Sequence, residues 1–369
     1  MAQAAGEKKQ QTRFYELDLL RFFAAFSVLL YHYSFRGHAG DSPSALDYSI
    51  LAPVTKYGYL GVDLFFLISG FVILMTASSG SVRGFVISRI VRLYPAFWMC
   101  CTATWIVMLL VGKWAHLPTG LEYAANMTML NGFIDLPYVD TVYWSLLVEM
   151  KFYFLIFLVL LVRQIDRAKV LLGGWLAINL LTTIWKVPVV TQFFIPDFAP
   201  YFIAGAMFFL VSREGLDFYK LVVIGISYGV IAGRAVQGLG ELSDRYHTHY
   251  SKLVVVGAIA AFFGVFLLIS TGRTRKIGSS KWTVLGALTY PLYLIHQNVG
   301  FAIFNSLNGR VNKHVLMWGT TVIVLVGAYL VTRIERVVSK PFKDALTRLI
   351  MPTPKLEEKV HDARAGHGS

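Results

Sequence analysis

The chain has 369 residues, 56% of them hydrophobic, and only 15% charged where soluble domains carry about 25%. Its apolar residues come in blocks of about 20, the length that crosses a bilayer's hydrocarbon core. This excludes a single aqueous core and predicts an all-α, polytopic transmembrane helical protein. The net charge of +13 reads as the loop charge of a membrane protein, not as a nucleic-acid footprint, because basic residues collect in cytoplasmic loops.

About ten spans are predicted from apolar length. They run over residues 17–35, 58–77, 94–112, 142–162, 170–185, 193–211, 221–236, 251–270, 284–303 and 315–333. With both termini cytoplasmic, most lysines and arginines fall on the inner side. These include "EKKQQTR", the loop "VRGFVISRIVR", Arg163, Arg167, Lys169, Arg213, Lys220 and "GRTRK". The longer loops, 36–57, 113–141 and 237–250, then face outside, where an acceptor substrate can be held. Residues 1–351 form one transmembrane domain, and the polar stretch 352–369 is expected to be a disordered cytoplasmic tail. No cleavable signal peptide is read ahead of the first span. Cys100 and Cys101 are adjacent in an apolar block and read as small hydrophobes, with no metal-site spacing.

The informative residues are polar ones in the wrong solvent. In the first span, "RFFAAFSVLLYH" places Arg21 and His32 eleven residues apart. That is about three helical turns and ~16 Å, so both lie near one face. Asp18, one turn before, can pair with Arg21. Arg21 either snorkels to the headgroups or binds an anion; His32 either bonds a neighbouring helix or does chemistry. Asp63, in "GYLGVDLFFLISGFVI", is either an interfacial helix cap or a functional carboxylate. Gly58, Gly61 and Gly70 would let helices approach closely.

Arg89 and Arg92, in "RGFVISRIVRLYPAFW", are spaced i, i+3 and share a face if helical. Singly each reads as topogenic charge; together with Arg21 they offer planar forks suited to phosphate. In "YWSLLVEMKFY", Trp144 suits the interface, Ser145 sits one turn before Glu149, and Glu149 lies about 10 Å into the span. An intramembrane glutamate is a functional candidate by default. His296, in "LTYPLYLIHQNVG", is open between packing and a functional role, with Pro291 before it to bend the helix. His32, Asp63 and Glu149 fall at similar depth, which favours one shared polar cavity over three separate costs. No phosphate-binding glycine loop and no nucleophile elbow is present.

Five segments together, "LDLLRFFAAFSVLLYH", "GVDLFFLISGFVI", "RIVRLYPAFW", "YWSLLVEMKFY" and "LTYPLYLIH", resemble the acyltransferase-3 family of integral membrane acyltransferases. They spread over residues 17–296, and their order is more specific than any one of them. The resemblance implies a ten-helix membrane domain in the bacterial inner (plasma) membrane. It implies acyl-CoA, usually acetyl-CoA, as donor, no metal, and O-acylation of a carbohydrate or lipid-linked sugar acceptor. It implies that Arg21, His32, Arg89, Arg92 and Glu149 matter for activity. Some relatives carry a fused extracytoplasmic transferase domain; without one, the acceptor is reached directly or through a separate extracytoplasmic partner.

The expected mechanism places CoA phosphates on Arg21, Arg89 and Arg92. His32 acts as general base, with Glu149 first and Asp63 second as its supporting carboxylate, or else forms an acyl-histidine. Trp144, Ser145 and His296 are expected to contact substrate. The acyl group is acetyl by this resemblance, with succinyl or longer groups left open. The rival reading is a secondary transporter, or a translocator that hands the acyl group to a partner. Such proteins also keep ionisable residues in the membrane, but no internal repeat is seen here.

Overall fold

The computed structural model describes residues 13–39, 44–111, 114, 116–185 and 193–350. The predicted tail and all of the basic lead except Arg13 lie outside the described residues. Among those described there is no β-strand, and ten helices are 16 residues or longer. In chain order these are α1 (Tyr15–Tyr31), α2 (Leu60–Ala77), α3 (Val82–Val111), α4 (Trp144–Leu161) and α5 (Ala168–Ile184). They continue with α6 (Ala199–Glu214), α7 (Phe218–Tyr246), α8 (Lys252–Ser270), α9 (Trp282–Leu307) and α10 (Lys313–Ile350). Six of them, α2, α3, α4, α7, α8 and α10, are long and apolar enough to cross a membrane. Of the other four, α1, α5 and α6 have only 16 or 17 residues, while α9 carries His296, Gln297 and Asn298 along its middle.

The helix ends differ from the apolar blocks in three places, for one reason. A helix is ended by its backbone bonds and caps, not by the edge of the apolar run. The segment "VRGFVISRIVR", expected as a loop, is the start of α3. α10 runs to Ile350, beyond the predicted 315–333. Residues 237–246, expected in an outer loop, continue α7 until His247 adopts a left-handed conformation at φ 48°. α3 and α10 have 30 and 38 residues, so at 1.5 Å per residue both exceed a hydrocarbon core of about 30 Å.

The interior is built on α6 and α9. α6 is buried at every position from Ala199 to Val211, as expected of a helix apolar all round. It lies against α2 with the backbones nearly touching. A Cβ on Gly70 would meet the Phe202 carbonyl oxygen at 2.2 Å, and one on Gly205 would meet that of Leu67 at 2.0 Å. Only glycine fits at either position, the small-residue packing used between membrane helices. α9 lies against α1, α3 and α10 and is buried from Pro291 to Asn298. Pro291 cannot donate to the Ala287 carbonyl, and Thr332 Oγ of α10 stands 3.4 Å from that oxygen in its place. α1 packs on both α2 and α9, so its polar residues face protein.

Candidate active site

Three arginines and a glutamate converge on one cavity of about 110 Å³. Arg21 comes from α1, Ser69 and Phe65 from α2, Arg89 and Arg92 from α3, Ser145, Glu149 and Tyr153 from α4, and Tyr290 and Tyr293 from α9. On α2 the lining runs from Val62 to Ile73, eleven residues or ~16 Å of helix. The lining of this slot therefore runs along α2 for about three turns, the shape an extended chain would follow.

Each charged group in the slot has an identifiable holder. Asp18 Oδ1 lies 3.7 Å from Arg21, as its spacing predicts. The Arg89 guanidinium spans the Phe85 and Tyr153 rings, 5.8 Å from each, and its Nε donates to Ser88 Oγ at 3.2 Å. Arg92 lies over Tyr290 and 4.0 Å from Glu335 of α10. Glu149 Oε1 accepts hydrogen bonds from Ser69 Oγ and Tyr153 Oη, both at 2.6 Å. Arg21 lies within electrostatic reach of both Arg92 and Glu149.

His32 is placed differently. α1 changes from α to π geometry at His32–Arg36, and the Gly37 amide donates to the His32 carbonyl at 2.7 Å. Such π turns recur at functional sites. The partner of the imidazole is His296: His32 Nδ1 lies 3.0 Å from His296 Nε2 and 2.9 Å from the Val28 carbonyl. His296 Nδ1 in turn lies 2.7 Å from the Tyr293 carbonyl. Carbonyls only accept, so with both rings neutral the proton order is set. His296 Nδ1–H donates to Tyr293, and His296 Nε2 accepts from His32 Nδ1–H. The His32 Nε2 lone pair is then left to take a proton, the form a general base needs.

This corrects the expected carboxylate partner. Glu149 belongs to the arginine slot, and Asp63 takes a hydrogen bond from Tyr201 of α6. Neither stands against His32, because equal depth in a membrane does not make helix faces meet. Neither imidazole lines the slot. Tyr293 lies between, lining the slot with its ring 5.7 Å from that of His296. Of the expected substrate contacts, Ser145 lines the slot and bonds Tyr293 Oη at 2.8 Å. Trp144 packs outside it on Phe66 and Phe198. Sequence reasoning missed Ser69, Tyr153, Tyr290 and Tyr293. Two carry a signal in hindsight: Tyr153 is i+4 from Glu149 and Tyr293 is i−3 from His296, both same-face spacings.

A Bacillus subtilis (strain 168) protein named "Putative peptidoglycan O-acetyltransferase YrhL" is 31% identical over 158 residues, 37% of this chain. The matched part is 22% of that relative's length. No solved structure matches. The family described as "Acyltransferase domain" matches residues 14–333, and the chain belongs to it: it is a member of the acyltransferase-3 family.

Proposed function

We propose that the protein is an O-acyltransferase that moves an acyl group, acetyl first, from cytoplasmic acyl-CoA to a carbohydrate hydroxyl on the other side of the bilayer. All ten long helices then cross the bacterial plasma membrane, with both termini cytoplasmic. The observation that carries this reading is the single slot that joins three arginines to the neighbourhood of a histidine pair. Arg89, Arg92 and Arg21 grip the donor's phosphates at the mouth. The extended arm fills the slot, and the nucleotide stays outside it. The name of the relative makes peptidoglycan glycan the first acceptor to test.

His32 Nε2 takes the proton of the attacking hydroxyl. His296, locked by the Tyr293 carbonyl, holds the ring in the tautomer that leaves Nε2 free. A positioned base of this kind contributes about 10²–10⁴-fold. Glu149 works at the other end. It offsets part of the arginines' charge while the slot is empty of donor.

The experiment is incubation of the purified full-length protein with [acetyl-¹⁴C]acetyl-CoA and peptidoglycan glycan strands. Label is expected on the glycan with wild type, and none with His32→Ala, which still binds donor. A transporter leaves the label on CoA, and normal turnover by folded His32→Ala removes that residue from the chemistry.

A further inference from the structure

Where the wall of the slot comes nearest the histidines, it carries two hydroxyls. Tyr293 Oη and Ser145 Oγ lie 2.8 Å apart, and both reach the Val142 carbonyl oxygen, at 3.1 and 3.0 Å. Phe65 meets the Tyr293 ring edge-on at 5.7 Å. Both hydroxyl residues line the slot and both are buried, 6% exposed each. Three contacts among these oxygens share only two hydroxyl protons, because the carbonyl brings none. If both protons point at Val142, the two hydroxyl oxygens face each other with no proton between them. The pair therefore already clasps one carbonyl oxygen, and because each hydroxyl turns about its C–O bond, a second carbonyl entering the slot can take these protons over from Val142, though the same protons cannot serve both carbonyls at once.

We propose that Ser145 Oγ and Tyr293 Oη hold the thioester carbonyl oxygen of the acyl donor at the boundary between the arginine slot and the histidine pair. This rests on the donor reading above and gives the two residues a role in the reaction. When the acceptor oxygen bonds to the carbonyl carbon, negative charge grows on the carbonyl oxygen. The two hydroxyls stabilise it by hydrogen bonds and transfer no proton. The acceptor's proton goes to His32 Nε2. As the carbonyl re-forms, the C–S bond breaks and CoA leaves as thiolate, which recovers the proton from the imidazolium. Donors fixed in a site closed to water are worth more than the same donors in water. Tyr293 ties the two halves together: its hydroxyl serves the donor carbonyl, while its backbone carbonyl sets the tautomer of His296.

The deciding readout needs no acceptor. Acetyl-CoA carrying ¹³C at the thioester carbonyl is bound to the full-length protein in lipid nanodiscs, and its carbonyl stretch is read by infrared difference spectroscopy. In wild type the band is expected below that of free acetyl-CoA. In Tyr293→Phe and, independently, in Ser145→Ala it moves back toward the free value. Calorimetric donor affinity stays near wild type, while transfer to glycan falls about 10²-fold, the usual loss for one such donor. A purely structural role for these hydroxyls leaves the band in place. The same frequency in wild type and both variants overturns this inference alone. Failure of wild type to bind acetyl-CoA overturns the donor reading and this inference with it.

Discussion

At the α6–α7 turn the Lys220 side chain is 2% exposed, yet its charge is fully answered. An ammonium has three protons, and here it has three acceptors. They are the Gly215 carbonyl at 2.8 Å, and Glu214 Oε2 and Asp217 Oδ2 at 3.2 Å each. Gly215 makes the turn possible at φ +82°, a conformation that favours glycine. Around the slot the balance is reversed. Arg21, Arg89 and Arg92 line it with Glu149 as the one carboxylate on the wall. Among the described residues Arg89 makes no ion pair, and the pairs of Arg21 with Asp18 and Arg92 with Glu335 are long, at 3.7 and 4.0 Å. Each guanidinium has five donors. A buried cation with every proton bonded is structure; a cluster of cations with donors to spare is a site for an anion.

The largest expected effect sharpens the slot side of this contrast. Arg89→Ala combined with Arg92→Ala should weaken acetyl-CoA binding about 100-fold or more, since charge-assisted hydrogen bonds are worth about 1.5–3 kcal/mol each. The thermal midpoint should change little, because among the described residues Arg89 makes no ion pair and the Arg92–Glu335 contact is long, at 4.0 Å, and more than a third exposed on the arginine side. Calorimetry for affinity and a thermal melt for stability separate the two. Unchanged affinity would mean that these arginines are topogenic charge.

The histidine pair and the slot also show what a sequence can and cannot convey. Long apolar blocks marked most helices to within a few residues, because hydrophobic length is a one-dimensional property. The start of α3 and the extensions of α7 and α10 were not marked that way, since the helix continues where the apolar run ends. The spacing Arg21-x₁₀-His32 suggested a common face, and the structure divides it: Arg21 lines the slot while His32 turns to His296. The π segment beginning at His32 goes with that change, and nothing in the local sequence announces it. Asp63 and Glu149 shared a depth and did not share a neighbour. Which faces meet is decided by close contacts such as Gly70 with Phe202 and Gly205 with Leu67, and these are relations between distant positions.

A middle-sized effect tests the α6–α7 side. Lys220→Met keeps most of the side chain's volume and removes its charge. Glu214 and Asp217 are more than a third exposed, 37% and 38%, so water can take over their hydration. The cost should be about 1–2 kcal/mol, below that of breaking a fully buried pair. The thermal midpoint falls and acetyl-CoA affinity stays. Loss of donor affinity here would place Lys220 among the binding residues and erase the contrast with Arg89.

The smallest effect isolates one carboxylate in the same turn. Asp217 caps α7 by accepting from the Lys220 amide at 2.9 Å, and its Oδ2 lies 2.7 Å from Lys169 of α5. Its hydrogen bond from Lys169, then that from the Lys220 amide, hold its carboxyl well below the usual carboxylate range. A group whose folded pKa is lowered contributes stability that is complete above the unfolded value, about 3.9 for aspartate, and is lost as pH falls toward the folded value. Asp217→Asn keeps the cap, since asparagine also caps helices, and removes only the charge. Thermal midpoints of wild type and variant should therefore differ most at neutral pH, and the gap should narrow below pH about 3.9. A gap that stays constant down the acid limb would mean that Asp217 acts through its shape and cap alone, and the charge balance argued for Lys220 would then rest on Glu214.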